Sequence, residues 1–241
     1  MEKVISIILP CYNEFKSLSK IHKKALYITR NYPIEIIFVN NGSTDQSKDF
    51  FNNLKTNEKI KVVNVPINKG YGYGIKMGLK SISNTKFFGW THSDLQTDLF
   101  DLLKAYEIIN SNDYKNNIFI KGERHARPIL DKLISLSMGL YNGLLFLNKD
   151  CYEINAQPSI FPIDLKEKII CNAPNNYLLD LYAFIYALTN NKNCIRVNVL
   201  FPKRTFGISH WNKGFKSKVY FISNNLAYSL KLFFQKIKKD F

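Results

Sequence analysis

The sequence predicts an α/β protein, with a Rossmann-like, doubly wound, mostly parallel sheet and helices on both faces. Three observations carry this. Short apolar, β-branched runs recur at 4–9, 34–39 and 60–65, as strands buried on both faces require. A stretch of helical period follows each of them. Strand and helix then alternate four times in about the first 110 residues, the pattern of a parallel sheet with right-handed crossovers.

Val4 to Leu9 forms the first strand, stopped by Pro10, and Leu18, Ile21, Ala25 and Ile28 set the helical period of 14–30. Ile34 to Val39 is the second strand. Ser43 or Thr44 is placed to cap a helix running toward Leu54. Ile60 to Val65 is the third strand, closed by Pro66. A helix over 71–82, a fourth strand over 86–91 and a helix over 99–109 complete the first half. Beyond Ser111 the regularity weakens. A strand at 118–121, a helix over 129–147, an irregular stretch at 150–163 with two prolines, a helix over 175–189 and a strand at 194–201 are expected. A loop over 202–214 leads to a last helix, 215–239. The organisation read from this is one domain over 1–214, in two halves, 1–112 and 113–214. An amphipathic C-terminal segment follows at 215–241.

The chain has 241 residues, enough to bury a core without disulfides. Its four cysteines, Cys11, Cys151, Cys171 and Cys194, show no metal-like spacing, and reduced thiols in a cytoplasmic protein are expected. The N-terminus runs straight into a strand with no signal-peptide layout. A net charge of +15 favours anionic partners such as nucleotide phosphates or an anionic membrane surface. No motif of nucleic-acid recognition accompanies that charge. The longest uncharged stretch, Leu133 to Leu147, falls short of the ~20 apolar residues that span a bilayer, and a buried helix is expected there ahead of an interfacial one. The last quarter sets Lys203, Arg204, Lys213, Lys216, Lys218, Lys231, Lys236, Lys238 and Lys239 around a broad apolar face. This composition suits either a helix packed on the core or one lying on an anionic membrane.

Four motifs carry chemistry. Pro10-Cys11-Tyr12-Asn13-Glu14 follows the first strand, and Val39-Asn40-Asn41-Gly42-Ser43-Thr44-Asp45 the second. Asn68-Lys69-Gly70-Tyr71-Gly72 precedes a helix, and His92-Ser93-Asp94-Leu95-Gln96 follows the fourth strand. Strand C-termini are where open α/β sheets bind ligands. Asp94 and Gln96 are oxygen ligands suited to a hard cation such as Mg²⁺ or Mn²⁺ that in turn holds a diphosphate. As a group without function, Asp94 would be a helix cap. The glycines are spaced unlike a dinucleotide fingerprint, and a tight turn with close backbone approach to a ligand is expected there. Arg124 and Arg204 offer planar forks for phosphate.

In order and spacing these motifs resemble family 2 glycosyltransferases of the GT-A fold, and within them the dolichyl-phosphate mannose synthase-like group. The resemblance covers about 110 residues closely. It continues more loosely through Gly122-Glu123-Arg124, Asp150 and the Arg204 to Ser209 stretch. The Gln-x-x-Arg-Trp motif of processive synthases is absent. The resemblance implies a metal-dependent, inverting hexosyl transfer from a nucleotide-diphosphate sugar to a polyprenyl phosphate or a surface glycan. It implies Asp94, Asp150, Arg124 and Arg204 as the catalytic set. Pro10, Tyr12, Asn13, Glu14, Asn40, Asn41, Asp45, Lys69, Gly70, Ser93 and Asp94 would contact the donor, and Asp94 and Gln96 the divalent cation. It further implies polysaccharide biosynthesis at the inner face of the cell membrane. Two departures stand out: the family's Asp-Asp is Asn40-Asn41 here, and the first Asp of its metal motif is His92. They leave a catalytically silent sugar-nucleotide-binding protein as the alternative.

Overall fold

The computed structural model describes residues 3–113, 115–202 and 215–238. Its strands are β1 (Ile5–Cys11), β2 (Ile34–Asn41), β3 (Ile60–Val65), β4 (Phe87–Trp90), β5 (Ile118–His125), β6 (Ser159–Pro162) and β7 (Asn193–Leu200). The helices are α1 (Phe15–Asn31), α2 (Ser47–Asn52), α3 (Tyr71–Lys80), α4 (Asp101–Ser111), α5 (Ile129–Phe146), α6 (Lys166–Asn172), α7 (Leu179–Thr189) and α8 (Phe215–Lys238). The seven strands form one sheet in the order β3-β2-β1-β4-β6-β5-β7. β1 to β4 run parallel to one another and β5 is parallel to β7. β6 runs antiparallel to both β4 and β5.

The doubly wound expectation holds. Ile5, Ile7 and Leu9 of β1 pack with Phe38, Phe87 and helices α1, α2 and α4 on one face. Ile8, Val39, Phe88 and Trp90 pack with α3, α6, α7 and α8 on the other. Alternate side chains of each strand thus feed two separate cores, the signature of a sheet covered on both faces.

Several boundaries differ from the sequence expectation. The stretch 150–163 is not wholly irregular, because Ser159–Pro162 within it forms β6, inserted between β4 and β5. Four residues are too few to show a period, and Pro158 and Pro162 bracket the strand without breaking it. β5 extends four residues beyond the expected 118–121. The helix expected from 175 starts at Leu179, and a 3₁₀ turn with α6 precedes it. Ser43 and Thr44 do not cap α2. The helix starts at Ser47, whose N–H donates to Asp45 Oδ1 at 2.9 Å.

The largest difference is α5, which is not a buried helix. It has 18 residues, long and apolar enough by length and composition to cross a membrane, yet it exposes a row of leucines. Apolar content alone cannot say which face of a helix finds a partner.

Glu35 on β2 is fully buried, and Ser6 Oγ (2.6 Å), Lys3 Nζ (2.9 Å) and Lys61 Nζ (2.8 Å) surround its carboxylate. Burial pushes the carboxyl up, but these three partners together push it further down, below the usual glutamate value of 4.5. A carboxylate lowered on folding adds stability that is complete above pH 4.5 and is lost as pH falls through the lower folded value. Urea unfolding midpoints should therefore fall on acidification through this range. A Glu35→Gln variant should be less stable at neutral pH and show a flatter acid limb.

Candidate active site

The strand order reverses between β1 and β4, and the carboxyl ends of β1, β2 and β4 open at that switch point, where open α/β sheets bind ligands. A cleft of about 950 Å³ lies there. Its inner wall comes from the loops after these strands, and its outer wall from the end of β5, one face of α5 and the start of α8.

The inner loops are fastened to one another. Ser93 Oγ donates to Pro10 O (2.8 Å), and Ser17 Oγ donates to Ser93 O (2.6 Å), joining the loops after β1 and β4. Asn13, at φ +56°, accepts at Oδ1 from the N–H groups of Thr44 (2.9 Å) and Asp45 (3.3 Å). Asparagine tolerates that left-handed backbone, which explains its place in the turn. Asp94 is almost buried, and its Oδ1 accepts the Gln96 N–H at 3.0 Å across Leu95, which sits at φ +62°. A leucine held in the left-handed region stores strain and pins the direction of the Asp94 carboxylate. Asp94 is not a helix cap: α4 starts at Asp101, and Asp98 Oδ1 accepts the Phe100 N–H (2.9 Å).

Of the predicted residues, Pro10, Tyr12, Glu14, Asn41, Gly70, Ser93, Asp94, Gln96 and Arg124 line the cleft together, with His92 beside them. Asn13, Asn40, Asp45, Lys69 and Asp150 are not among the lining residues. Asn40 bridges Asn64 Oδ1 (3.0 Å) and the Ser43 N–H (3.1 Å), so its side chain builds the β2 loop. Asp45 receives the first N–H of α2, and the Lys69 ammonium lies 5.5 Å from the Tyr73 ring centre. Asp150 offers its backbone oxygen to Arg196 Nη2 at 2.7 Å. Arg204 lies outside the described residues.

The glycines make room for protein rather than for a ligand alone. Gly70, at φ +112°, abuts the Asn175 backbone, and a side chain at Gly74 would meet Asn41 Cγ at 2.8 Å. Asn41 is thereby held with its Nδ2 donating to Gly70 O (3.1 Å), while its buried Oδ1 has no hydrogen-bond partner among the described residues. Gln157 Oε1 and Asn142 Oδ1 are likewise buried and unpartnered, and both residues line the same cleft. Buried acceptors without donors are costly. Three converging on one cleft mark it as shaped for a ligand rich in N–H and O–H groups.

The outer wall holds a cluster that sequence reasoning missed in part. Glu153 accepts Arg124 Nε (2.6 Å) with one oxygen and Arg127 Nη1 (2.7 Å) with the other. Arg196 on β7 holds the loop carrying Glu153 by donating to the carbonyls of Asp150 and Tyr152, with its guanidinium 4.2 Å from the Tyr152 ring centre. Asp131 pairs with Lys218 at 2.9 Å. On the cleft floor, Asp180 accepts Trp90 Nε1 at 2.9 Å and lies 3.7 Å from the buried Lys121. Burial pushes the Lys121 ammonium down to about 8, against the pull of Asp180. Burial pushes the Cys11 thiol up to about 12, so this cleft cysteine is no thiolate nucleophile. Glu153 comes from a segment read as irregular, Asp131 and Asp180 from segments read as helical, and Lys121 and Arg196 from segments read as strands; of this cluster the motifs singled out Arg124 alone.

Among the described residues, no three His, Cys, Asp or Glu side chains gather into a complete metal cage. Asp94, Gln96 and His92 all line the cleft, and their oxygen and nitrogen donors are of the kind that a divalent cation shared with diphosphate oxygens accepts. On that donor chemistry a divalent cation fits.

The chain is similar to a poly-β-1,6-N-acetyl-D-glucosamine synthase of Staphylococcus epidermidis, 32% identical over 80 residues, which are 33% of this chain and 19% of that protein. It is similar to a dolichyl-phosphate β-glucosyltransferase of Trichomonas vaginalis, 34% identical over 82 residues, covering 31% of this chain and 25% of the relative. It is also similar to an undecaprenyl-phosphate 4-deoxy-4-formamido-L-arabinose transferase of Pectobacterium carotovorum, 32% identical over 72 residues, covering 29% and 22%. The matches thus span a quarter or less of these relatives' lengths. Among solved structures, glucosyl-3-phosphoglycerate synthase of Mycobacterium tuberculosis, crystallised with Mn²⁺, UDP and glucosyl-3-phosphoglycerate, superposes with a TM-score of 0.67. That superposition has 14% identity and covers 96% of this chain and 80% of that one. The fold is GT-A. The model of glycosyl transferase family 2 matches residues 6–133, just over half of the chain, and the protein belongs to that family.

Proposed function

We propose that the protein transfers a sugar, with inversion, from a nucleotide-diphosphate sugar to the phosphate of a polyprenyl lipid. The observation that carries the acceptor half is the outer wall. Arg124 and Arg127 converge there on one carboxylate, and three carboxylates of the cleft are already engaged. Glu153 is held by two guanidiniums, Asp131 by Lys218, and Asp180 by Trp90 and Lys121. Both Glu153 oxygens are thus already committed to guanidinium N–H groups. A hydroxyl acceptor needs a base, whereas a phosphate arrives ionised. Two of the similar proteins carry lipid-phosphate acceptors in their names, which supports the same reading.

On the inner wall, Tyr12, Asn41 and Gly70 would hold the base and ribose, with the orphaned Asn41 Oδ1 accepting an N–H of the base. Gln157 Oε1 and Asn142 Oδ1 would accept from sugar hydroxyls. Asp94, with Gln96 and His92, would hold a divalent cation. A cation bound there neutralises the diphosphate as it leaves. The imidazole disfavours Mg²⁺ relative to softer ions, which makes Mn²⁺ the better candidate. An acceptor phosphate oxygen forms the new bond to the anomeric carbon from one face. The bond to the donor phosphate breaks on the other, and the nucleoside diphosphate departs. Arg204, by its motif, would pair with the donor phosphates. A peripheral place at the inner face of the membrane follows from the lipid acceptor. The test is formation of a glycosylated lipid phosphate when donor, polyprenyl phosphate and cation are combined.

A further inference from the structure

We infer that α5 is a two-faced wall whose outer face docks the protein on an anionic membrane while its inner face lines the cleft. Leu133, Leu136, Leu140, Leu144 and Leu147 recur at helical spacing and are all more than half exposed, Leu147 by 92%. The opposite face presents Asp131, Ser135, Met138 and Asn142 to the cleft. A row of exposed leucines on one helix is a contact surface waiting for a partner.

α8 extends this surface. It lies beside α5 in the same direction, from the Lys218–Asp131 pair at one end to the Phe146–Phe233 ring contact at the other. It exposes Leu230, Phe234 and Ile237. Together the two helices contain six lysines and one acid, and that acid, Asp131, is already paired with Lys218. Lys132 and Lys149 are exposed at the two ends of α5, and Lys236 lies 5.9 Å from the Phe146 ring centre. An apolar face rimmed by unopposed lysines matches the acyl boundary and anionic headgroups of a bilayer.

α5 cannot cross the bilayer, despite a length of about 27 Å. It is tied to β5 before it and, through the Cys151–Tyr152 backbone packed on Gly139, to the loop leading to β6. Its inner face also carries the polar cleft wall. It therefore lies in the interface, and the seam between α5 and α8 brings a lipid-anchored phosphate level with Arg127. That last consequence rests on the lipid-phosphate reading; the docking does not.

The test is flotation of the full chain with phosphatidylcholine vesicles, with and without about one-third phosphatidylglycerol. The protein should float with the anionic vesicles, less so at high salt. A Leu136→Gln/Leu140→Gln/Leu144→Gln variant should lose about tenfold or more of that binding. Its melting temperature and its nucleoside diphosphate binding should be unchanged. A Leu140→Trp variant should show blue-shifted emission on the same vesicles. Absence of flotation, flotation of the triple variant at the wild-type level, or a wild-type dimer that the triple variant dissociates would each overturn the proposal. Loss of nucleotide binding by the wild type would sink the functional reading and leave the docking standing.

Discussion

Asp94→Ala should reduce nucleoside diphosphate release by about 10²- to 10³-fold, mainly through kcat, because it removes the negative charge that would hold the leaving diphosphate through its cation. Asp94 also shapes its own turn by accepting the Gln96 N–H, and Leu95 is held left-handed inside that turn. An alanine variant alone would confuse the two roles. Asp94→Asn keeps an oxygen for the turn and loses the charge. It should be nearly as inactive as the alanine variant while melting close to wild type. An active asparagine variant would make Asp94 a turn-former only. Chelation by EDTA should silence the wild type and leave both variants where they are.

The second large effect is expected at the outer wall. Arg127→Ala removes a guanidinium, and loss of one charged hydrogen-bonding partner of a phosphate costs about 1.5–3 kcal/mol, or roughly ten- to a hundredfold in affinity. KM for the lipid phosphate should rise by that factor, while KM for the sugar nucleotide stays put. Glu153→Gln separates the two acceptor classes. If Glu153 only orients Arg124 and Arg127, which it contacts at 2.6 and 2.7 Å, activity should drop by less than about tenfold. If it were the base for a hydroxyl acceptor, the loss would be far larger and steeper at low pH. Steady-state kinetics with both substrates varied distinguishes these outcomes.

The legible part of this fold is the part with a period. β1 to β4 and the helices between them repeat strand and helix in runs long enough to show their spacing, and the structure places them as expected. β6 and α6 were illegible because four and seven residues carry no period, and proline looked like irregularity. α5 was misjudged for a different reason. Its leucines signal a need for burial, but no residue near them in sequence says that only half of the helix is covered by the protein.

The site divides the same way. Asp94, Asn41 and Gly70 stand in motifs at strand ends, and they meet in the cleft. Asn13, Asn40 and Asp45 stand in the same motifs, yet Asn13 and Asn40 spend their side chains on partners such as Thr44 and Asn64, and Asp45 spends its own on the first turn of α2. A motif shows that a loop matters and not which of its atoms face the ligand. Glu153, Asp180 and Arg196 reach the site from segments far along the chain, where no local pattern announces them. The Asn40 amide donates to Asn64 and accepts from Ser43, so the side chain at this motif position is used within the β2 loop.

The most direct measurement is of the product. The full chain is incubated with radiolabelled UDP-, GDP- or TDP-sugars, Mn²⁺ and undecaprenyl phosphate, and the label extracted into organic solvent is counted. The account predicts label in the organic phase for one donor, dependent on cation and on Asp94, with nucleoside diphosphate released in equal amount. Release of nucleoside diphosphate that is indifferent to the lipid would contradict the proposed acceptor. Tight nucleotide binding with no turnover for any donor would contradict the proposed activity and make the Asn40, Asn41 and His92 substitutions the mark of a silent transferase.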